Sequence, residues 1–315
     1  MCRSDTWSRY SSGMDDGLFD VLIVGGGPAG LQAALSLGRA RKRVLVADGG
    51  PRRNAATGHM NNFVSRDGIP PADFRREART QLAKYSNVSF RDEPIETITG
   101  ARGDFRTGAV RARRVLLATG VVDQPPDIEG LAPLWGHSVF QCPYCHGWEV
   151  RERRWGYYAP DATITHVKPF VMQMRGWSTD VTLFTDKIGD DTRSALLAAK
   201  VRIESAAVTR LVGTGQQLEA VDLADGVRVH LDALMMHPPQ KQVPLVRALG
   251  VALDDEGFVK IDPMTRETSI AGVYAAGDLV TRAQAAILAA AAGMQAAAAI
   301  NVELTTDLVT SGALP

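Results

Sequence analysis

The chain has 315 residues, 45% of them hydrophobic, enough for one large or two small domains around a sizeable buried core. Lys plus Arg and Asp plus Glu both number 35, so the formal charge is zero, and nothing in that balance points to nucleic acid or an anionic membrane surface. Residues 1–17 carry no apolar signal core, and the Ala-rich stretch 283–300 is interrupted by Gln284, Gly293 and Gln295, so neither secretion nor a membrane span is expected. The expectation is a cytoplasmic protein with a flexible tail at 1–17, in which Cys2 is incidental.

After the tail, 18–24 is a short apolar run rich in β-branched residues, followed directly by Gly25-Gly26-Gly27-Pro28-Ala29-Gly30. Leu31, Ala34, Leu35 and Leu37 then recur at helical spacing up to Gly38, which predicts strand, glycine turn, helix. Gly25, Gly27 and Gly30 fit G-x-G-x-x-G: a tight turn, a close backbone approach to a pyrophosphate, and close helix–strand packing. The helix N-terminus behind Pro28 and Ala29 favours the phosphate charge. A second strand at 43–47 ends in Asp48, placed to bond an adenosine ribose, and Gly49 follows.

Residues 49–68 form a long polar connection with Arg53, Asn54, His59, Asn61 and Asn62, and loops of that length in compact domains tend to be functional. A helix at 71–85 and strands at 88–91, 96–99 and 109–117 come next, the last leading into Ala118-Thr119-Gly120. Past Pro125-Pro126 the chain reads Gln141-Cys142-Pro143-Tyr144-Cys145-His146-Gly147-Trp148. Two thiols two residues apart can cycle between dithiol and disulfide; a helix N-terminus or a cation makes one of them a thiolate. Pro143 restricts the intervening backbone and His146 exchanges a proton near neutral pH. A structural disulfide, or zinc held by Cys142, Cys145, His146 and His137, are the competing readings of these residues.

Beyond the dithiol, 154–158 opens a second strand unit, with helices at 167–175 and 190–200 and strands at 181–185, 201–204, 218–223 and 227–231. His237-Pro238-Pro239 marks a second crossing between domains. A strand then ends in Gly277-Asp278, before an Ala-rich helix to about Val302.

With these motifs in this order, the chain resembles the low-molecular-weight thioredoxin reductase family of flavoproteins from about residue 18 to 302. The resemblance implies an α/β, two-domain Rossmann-like flavoprotein. Its discontinuous FAD-binding domain would comprise 18–124 and 240–315, and 125–239 would be an inserted NADPH-like domain carrying the CxxC. It implies that Gly25, Gly27, Pro28, Ala29, Gly30 and Asp48 hold FAD, together with Gly49, Arg53, Asn54, Asn62, Ala118, Thr119, Gly120, Gly277 and Asp278. A homodimer is implied as well.

Two departures from the family pattern redirect the functional expectation. Where the reductases carry a second glycine fingerprint for NADPH, this chain reads Trp155-Gly156-Tyr157-Tyr158-Ala159-Pro160-Asp161-Ala162-Thr163, with Gly156 alone remaining. The second is His146, at a position where the reductases carry an acid. Cys-x-x-Cys-His-Gly resembles the branch of dithiol oxidases that close disulfides in natural products, with the bacterial depsipeptide members nearest. That resemblance implies an FAD-dependent dithiol oxidase acting on a small-molecule dithiol. By the same resemblance Cys142 would be the substrate-facing thiol, Cys145 the flavin-facing one and His146 the base, with molecular oxygen or another acceptor taking the electrons. His59 and His137 are lesser candidates for a base, and Trp135, Phe140, Tyr144 and Trp148 are candidate walls of an apolar pocket. A reductase fed by NADPH or a ferredoxin-like protein, and an idle flavin-binding scaffold, are the rival readings.

Overall fold

A computed structural model describes residues 17–313; the tail and Cys2, Gly17 apart, lie outside the described residues. The chain divides into two compact units, one made of residues 17–53, Ala72–Val122 and 240–313, the other of Asn54–Pro71 and Asp123–Pro239.

In the first unit, strand Leu18–Val24 pairs in parallel with Val44–Ala47 on one side and Val110–Leu117 on the other. Val88–Arg91 extends the sheet beyond Val44–Ala47, and Val273–Ala275 joins it alongside Val110–Leu117. Strand alternation decides the two cores. Val21 and Ile23 point to the face covered by helices Pro28–Arg39 and Ala286–Thr310, whereas Leu22 and Val24 pack with Phe105, Val246 and Phe258 on the other. Both faces of a parallel sheet are thereby buried, which is why its strands read as continuous apolar runs rather than alternating ones.

The Ala286–Thr310 helix runs past the expected end near residue 302; in the added turns Leu304 is buried and Asp307 pairs with Arg114. By length and composition it is long and apolar enough to cross a membrane, contrary to the reading of its interruptions; here it is a core helix with Ala296, Ile300 and Leu304 fully buried. Between it and helix Pro28–Arg39 there is no room for a side chain at Gly293, where a Cβ would lie 2.1 Å from the Ala29 carbonyl oxygen.

The second unit has its own parallel sheet, in the order Arg202–Glu204, Asp180–Phe184, Arg154–Tyr158, Ala233–Met236, Val139–Phe140. Trp155, Tyr157 and Met235 face a core shared with helix Val167–Met174. Val139, Leu234 and Met236 face a second core under the antiparallel strands Val208–Thr214, Gln217–Leu223 and Arg228–His230.

Several boundaries differ from expectation. The strand expected at 96–99 is irregular up to Ile98; the pairing residues are Thr99–Ala101, in a hairpin with Asp104–Thr107. Gly100 and Gly103 hold positive φ there, which an apolar-pattern reading does not see. Strands Val208–Thr214 and Ala233–Met236 were not anticipated, the first because it is mostly polar, the second because four consecutive buried residues carry no period. The polar connection, read as part of the first domain, contributes Asn54–Pro71 to the second unit.

Candidate active site

The dithiol stands where strand Val139–Phe140 hands over to the short helix Pro143–His146. Cys142 is the N-cap residue in extended conformation and Pro143 occupies the first helical position, where its missing N–H costs nothing. Cys142 and Cys145 are joined in a disulfide with their Cα atoms 5.2 Å apart. The helix is closed by Gly147, whose N–H donates to the Pro143 carbonyl at 2.7 Å. A Cβ there would meet that same carbonyl at 2.4 Å and the Trp155 and Trp177 rings at 3.0 Å, so only glycine fits.

His146 stacks on the buried Phe140 ring, with centroids 5.0 Å apart. Burial pushes the imidazole below its ordinary pKa; the Gly136 carbonyl pulls the other way, and neighbouring His137 adds to the depression. The ring is therefore neutral at neutral pH, the form in which a base works. Its Nδ1 is buried and makes no hydrogen bond among the described residues.

Two residues that sequence reasoning did not single out as site residues lie against this helix, both from Asn54–Pro71. Asn61 Nδ2 donates to the Cys145 carbonyl at 2.9 Å, and Thr57 Oγ1 lies 3.3 Å from His146 Nε2. The polar character and length of the loop were the available signal; its partner was not legible. His59 is exposed and contributes its carbonyl, which accepts from Thr57 Oγ1 at 3.1 Å.

Of the four aromatic residues expected to wall a pocket, Phe140 belongs to the core and Trp135 packs partly buried on the second core, while Tyr144 and Trp148 are exposed. Tyr144 is held edge-on by Trp177 and by a hydrogen bond from Gln173, and the Arg151 guanidinium covers Trp148 at 4.0 Å. Among the described residues no group of three or more His, Cys, Asp and Glu side chains is arranged to hold a metal.

The glycine turn of the first unit is built for close approach. Gly25 holds φ +111° with the Ala118 carbonyl where a Cβ would be, and Gly30 sits directly under the Gly25 carbonyl. Gly27, the N-cap of helix Pro28–Arg39, faces open space, and the helix has neither a side-chain cap nor an acid in its first turn. The Asp48 carboxylate accepts from the Gly26 N–H at 3.0 Å, which fixes it at the turn, and Gly49 presses on the Glu93–Pro94 peptide. Gly120 adopts φ +65° beside Thr119, and Gly277 adopts φ +97° before Asp278, whose Oδ2 pairs with Arg53 Nη1 at 2.8 Å. An uncapped helix N-terminus behind an open glycine suits a pyrophosphate, so these residues fit FAD. Asn54 and Asn62 fall in the second unit, and the Asn62 N–H is held by Asp67 at 2.7 Å.

In the second unit the corresponding turn is of another kind. Gly156 is not part of it but lies in the middle of strand Arg154–Tyr158, where a Cβ would meet Leu231, Leu234 and Phe184 side chains at 2.6–2.9 Å. It is a packing glycine, which corrects its reading as the remnant of a phosphate fingerprint. The turn itself is Ala159-Pro160-Asp161-Ala162-Thr163, without glycine, and Asp161 turns its carboxylate onto the Thr163 N–H and hydroxyl.

A family model described as pyridine nucleotide-disulphide oxidoreductase matches residues 19–167 and 170–296. The chain belongs to that family. This oxidoreductase is 32% identical to thioredoxin reductase tcpT of Claviceps purpurea, over 83% of the chain and 86% of the relative. It is 31% identical to thioredoxin reductase aclD of Aspergillus oryzae, over 92% of the chain and 98% of the relative. The solved structure of HlmI superposes with a TM-score of 0.86 at 33% identity, covering 95% of this chain and 96% of that one. The expected Rossmann-like flavoprotein fold and FAD as its cofactor follow from this membership, as does thiol:disulfide oxidoreductase activity.

Proposed function

We propose that this flavoprotein is a dithiol oxidase: it takes two electrons and two protons from a small-molecule dithiol, releases the cyclic disulfide, and delivers the electrons to molecular oxygen. The observation that carries the reading is the Cys142–Cys145 disulfide on one short helix with His146, a base held neutral by burial. The glycine-free turn at 159–163 supports it further, since a nicotinamide dinucleotide has no backbone cradle there.

In the proposed reaction a substrate thiolate attacks the Cys142 sulfur, breaking the Cys142–Cys145 bond and forming a mixed disulfide. His146 accepts the proton of the attacking thiol, because only the thiolate is a competent nucleophile. The substrate's second thiol, deprotonated in turn, attacks its own disulfide-linked sulfur and displaces Cys142. The product leaves with one new S–S bond, and Cys142 and Cys145 are left as the reduced pair. FAD, when bound, would supply the two-electron acceptor that returns the pair to the disulfide and would pass those same electrons to molecular oxygen, giving hydrogen peroxide. Gly25, Gly27, Pro28, Ala29 and Gly30 would hold the pyrophosphate and Asp48 the ribose. Gly49, Ala118, Thr119, Gly120, Gly277 and the Arg53–Asp278 pair would complete the cradle in the first unit. A cytoplasmic homodimer acting on a depsipeptide-like substrate is part of the same reading.

The test is stopped-flow flavin absorbance with the FAD-loaded protein mixed separately with a small-molecule dithiol and with NADPH. Bleaching by the dithiol, recovery in air with peroxide formed, and no fast response to NADPH are expected. Fast bleaching by NADPH would show a reductase instead, and silence with both an idle scaffold or a protein electron donor.

A further inference from the structure

The loop Asn54–Pro71 and the dithiol helix belong to one compact unit, and the hydrogen bonds between them bear on which nitrogen of His146 carries its hydrogen. The Thr57 hydroxyl has a single hydrogen to donate, and the His59 carbonyl, 3.1 Å from Oγ1, takes it. Toward His146 Nε2, 3.3 Å away, the hydroxyl is left as an acceptor, so Nε2 must carry the hydrogen. A neutral imidazole has one N–H, and the lone pair then resides on Nδ1, the atom with no hydrogen-bond partner among the described residues. With the hydrogen on Nε2, every donor in the chain His146–Thr57–His59 is satisfied and one acceptor is unmet. The opposite tautomer would bury an N–H on Nδ1, which makes no hydrogen bond among the described residues; the Gly136 carbonyl, the one backbone acceptor acting on the ring, favours the doubly protonated imidazolium and does not pair with Nδ1. That tautomer would also force the Thr57 hydroxyl to choose between Nε2 and the His59 carbonyl, leaving two groups unmet.

We infer that Thr57 is a positioning residue that sets the tautomer of His146, making Nδ1 the nitrogen that takes up a proton, and that Asn61 secures the same clasp by holding the Cys145 carbonyl. The inference rests on the reading of His146 as the base of dithiol oxidation, but the tautomer itself exists in the resting protein. Thr57 acts through the ring rather than on the substrate, in the way that a partner hydrogen bond selects the working nitrogen of any catalytic histidine.

Nitrogen NMR of the whole FAD-loaded protein, labelled with 15N-histidine, reads the tautomer without substrate. The His146 resonances are those lost in His146→Gln. At pH 8 the expected spectrum has Nε2 in the protonated range and Nδ1 in the unprotonated range. Thr57→Val, which keeps the size and removes the hydroxyl, should shift both resonances toward a mixture of tautomers, and Thr57→Ser should restore the wild-type pattern. A wild-type His146 protonated on Nδ1, or a Thr57→Val spectrum identical to wild type, overturns the inference. Bound FAD and melting temperature equal to wild type establish that Thr57→Val is folded; should it not fold, the wild-type spectrum alone decides. If the tautomer is as expected but no dithiol bleaches the flavin, the positioning role stands and the proposed reaction fails.

Discussion

Arg53 Nη1 and Asp278 Oδ2 are 2.8 Å apart although 225 residues separate them in the chain. The pair ties the start of the polar connection to the segment that follows the last strand of the first unit, with both side chains partly buried. Losing the guanidinium leaves the Asp278 carboxylate without this partner, at a place proposed to face the flavin. Arg53→Leu is expected to weaken FAD retention by about tenfold, or about 1.4 kcal/mol. Flavin fluorescence titration of the apoprotein checks it, and unchanged affinity would remove the pair from the cofactor site.

Gly293→Val should be more damaging than a glycine replacement in an exposed helix. Its Cβ would lie 2.1 Å from the Ala29 carbonyl oxygen, so the two helices must separate at the first turn of helix Pro28–Arg39, beside the glycine turn proposed to hold the pyrophosphate. A loss of ~1–3 kcal/mol is expected from the overpacking, together with loss of bound flavin. Thermal unfolding and the flavin-to-protein absorbance ratio are the readouts.

Gly156→Ala separates packing from cofactor binding in the second unit. Its Cβ would press on the ends of Leu231, Leu234 and Phe184, which are flexible side chains rather than backbone. About 1 kcal/mol of stability should be lost while flavin bleaching by dithiol stays unchanged. A change confined to NADPH response would restore the phosphate-binding reading of this glycine.

Cys142→Ser and Cys145→Ser should each abolish turnover while FAD remains bound, because the disulfide lies in the second unit and the glycine turn in the first. Surviving turnover in either variant would rule out the dithiol mechanism.

The pH dependence follows from His146. Its pKa in the fold lies below the ordinary 6.5, chiefly through burial, so between the two values the unfolded chain binds more protons than the folded one. Stability therefore rises with pH across that window; the contribution is complete above about 6.5 and is lost as pH falls. Wild-type protein should lose more melting temperature than His146→Gln between pH 7.5 and 5. Dithiol oxidation should also fall off on the acid side only below the ordinary histidine range, and an equal pH response of the two proteins would exclude His146 as the titrating group.

Much of this architecture was legible because it is local. The glycine turn, the strand before it and the helix after it are determined by contiguous residues: only glycine tolerates φ +111° at position 25, and Pro28 starts a helix at no hydrogen-bond cost. The same holds for Cys142-Pro143-Tyr144-Cys145-His146, whose spacing alone places two sulfurs within reach of one bond. What the sequence could not decide is what the long polar connection binds. No periodicity records that Thr57 meets His146 or that Asn61 meets the Cys145 carbonyl, since polar side chains at irregular spacing are compatible with many partners. Gly156 was ambiguous for a related reason: a glycine that admits a phosphate and one that admits neighbouring leucines look alike along the chain. Only the tertiary structure, by placing Leu231, Leu234 and Phe184 around it, makes it a packing residue and leaves the dithiol beside a buried, neutral histidine.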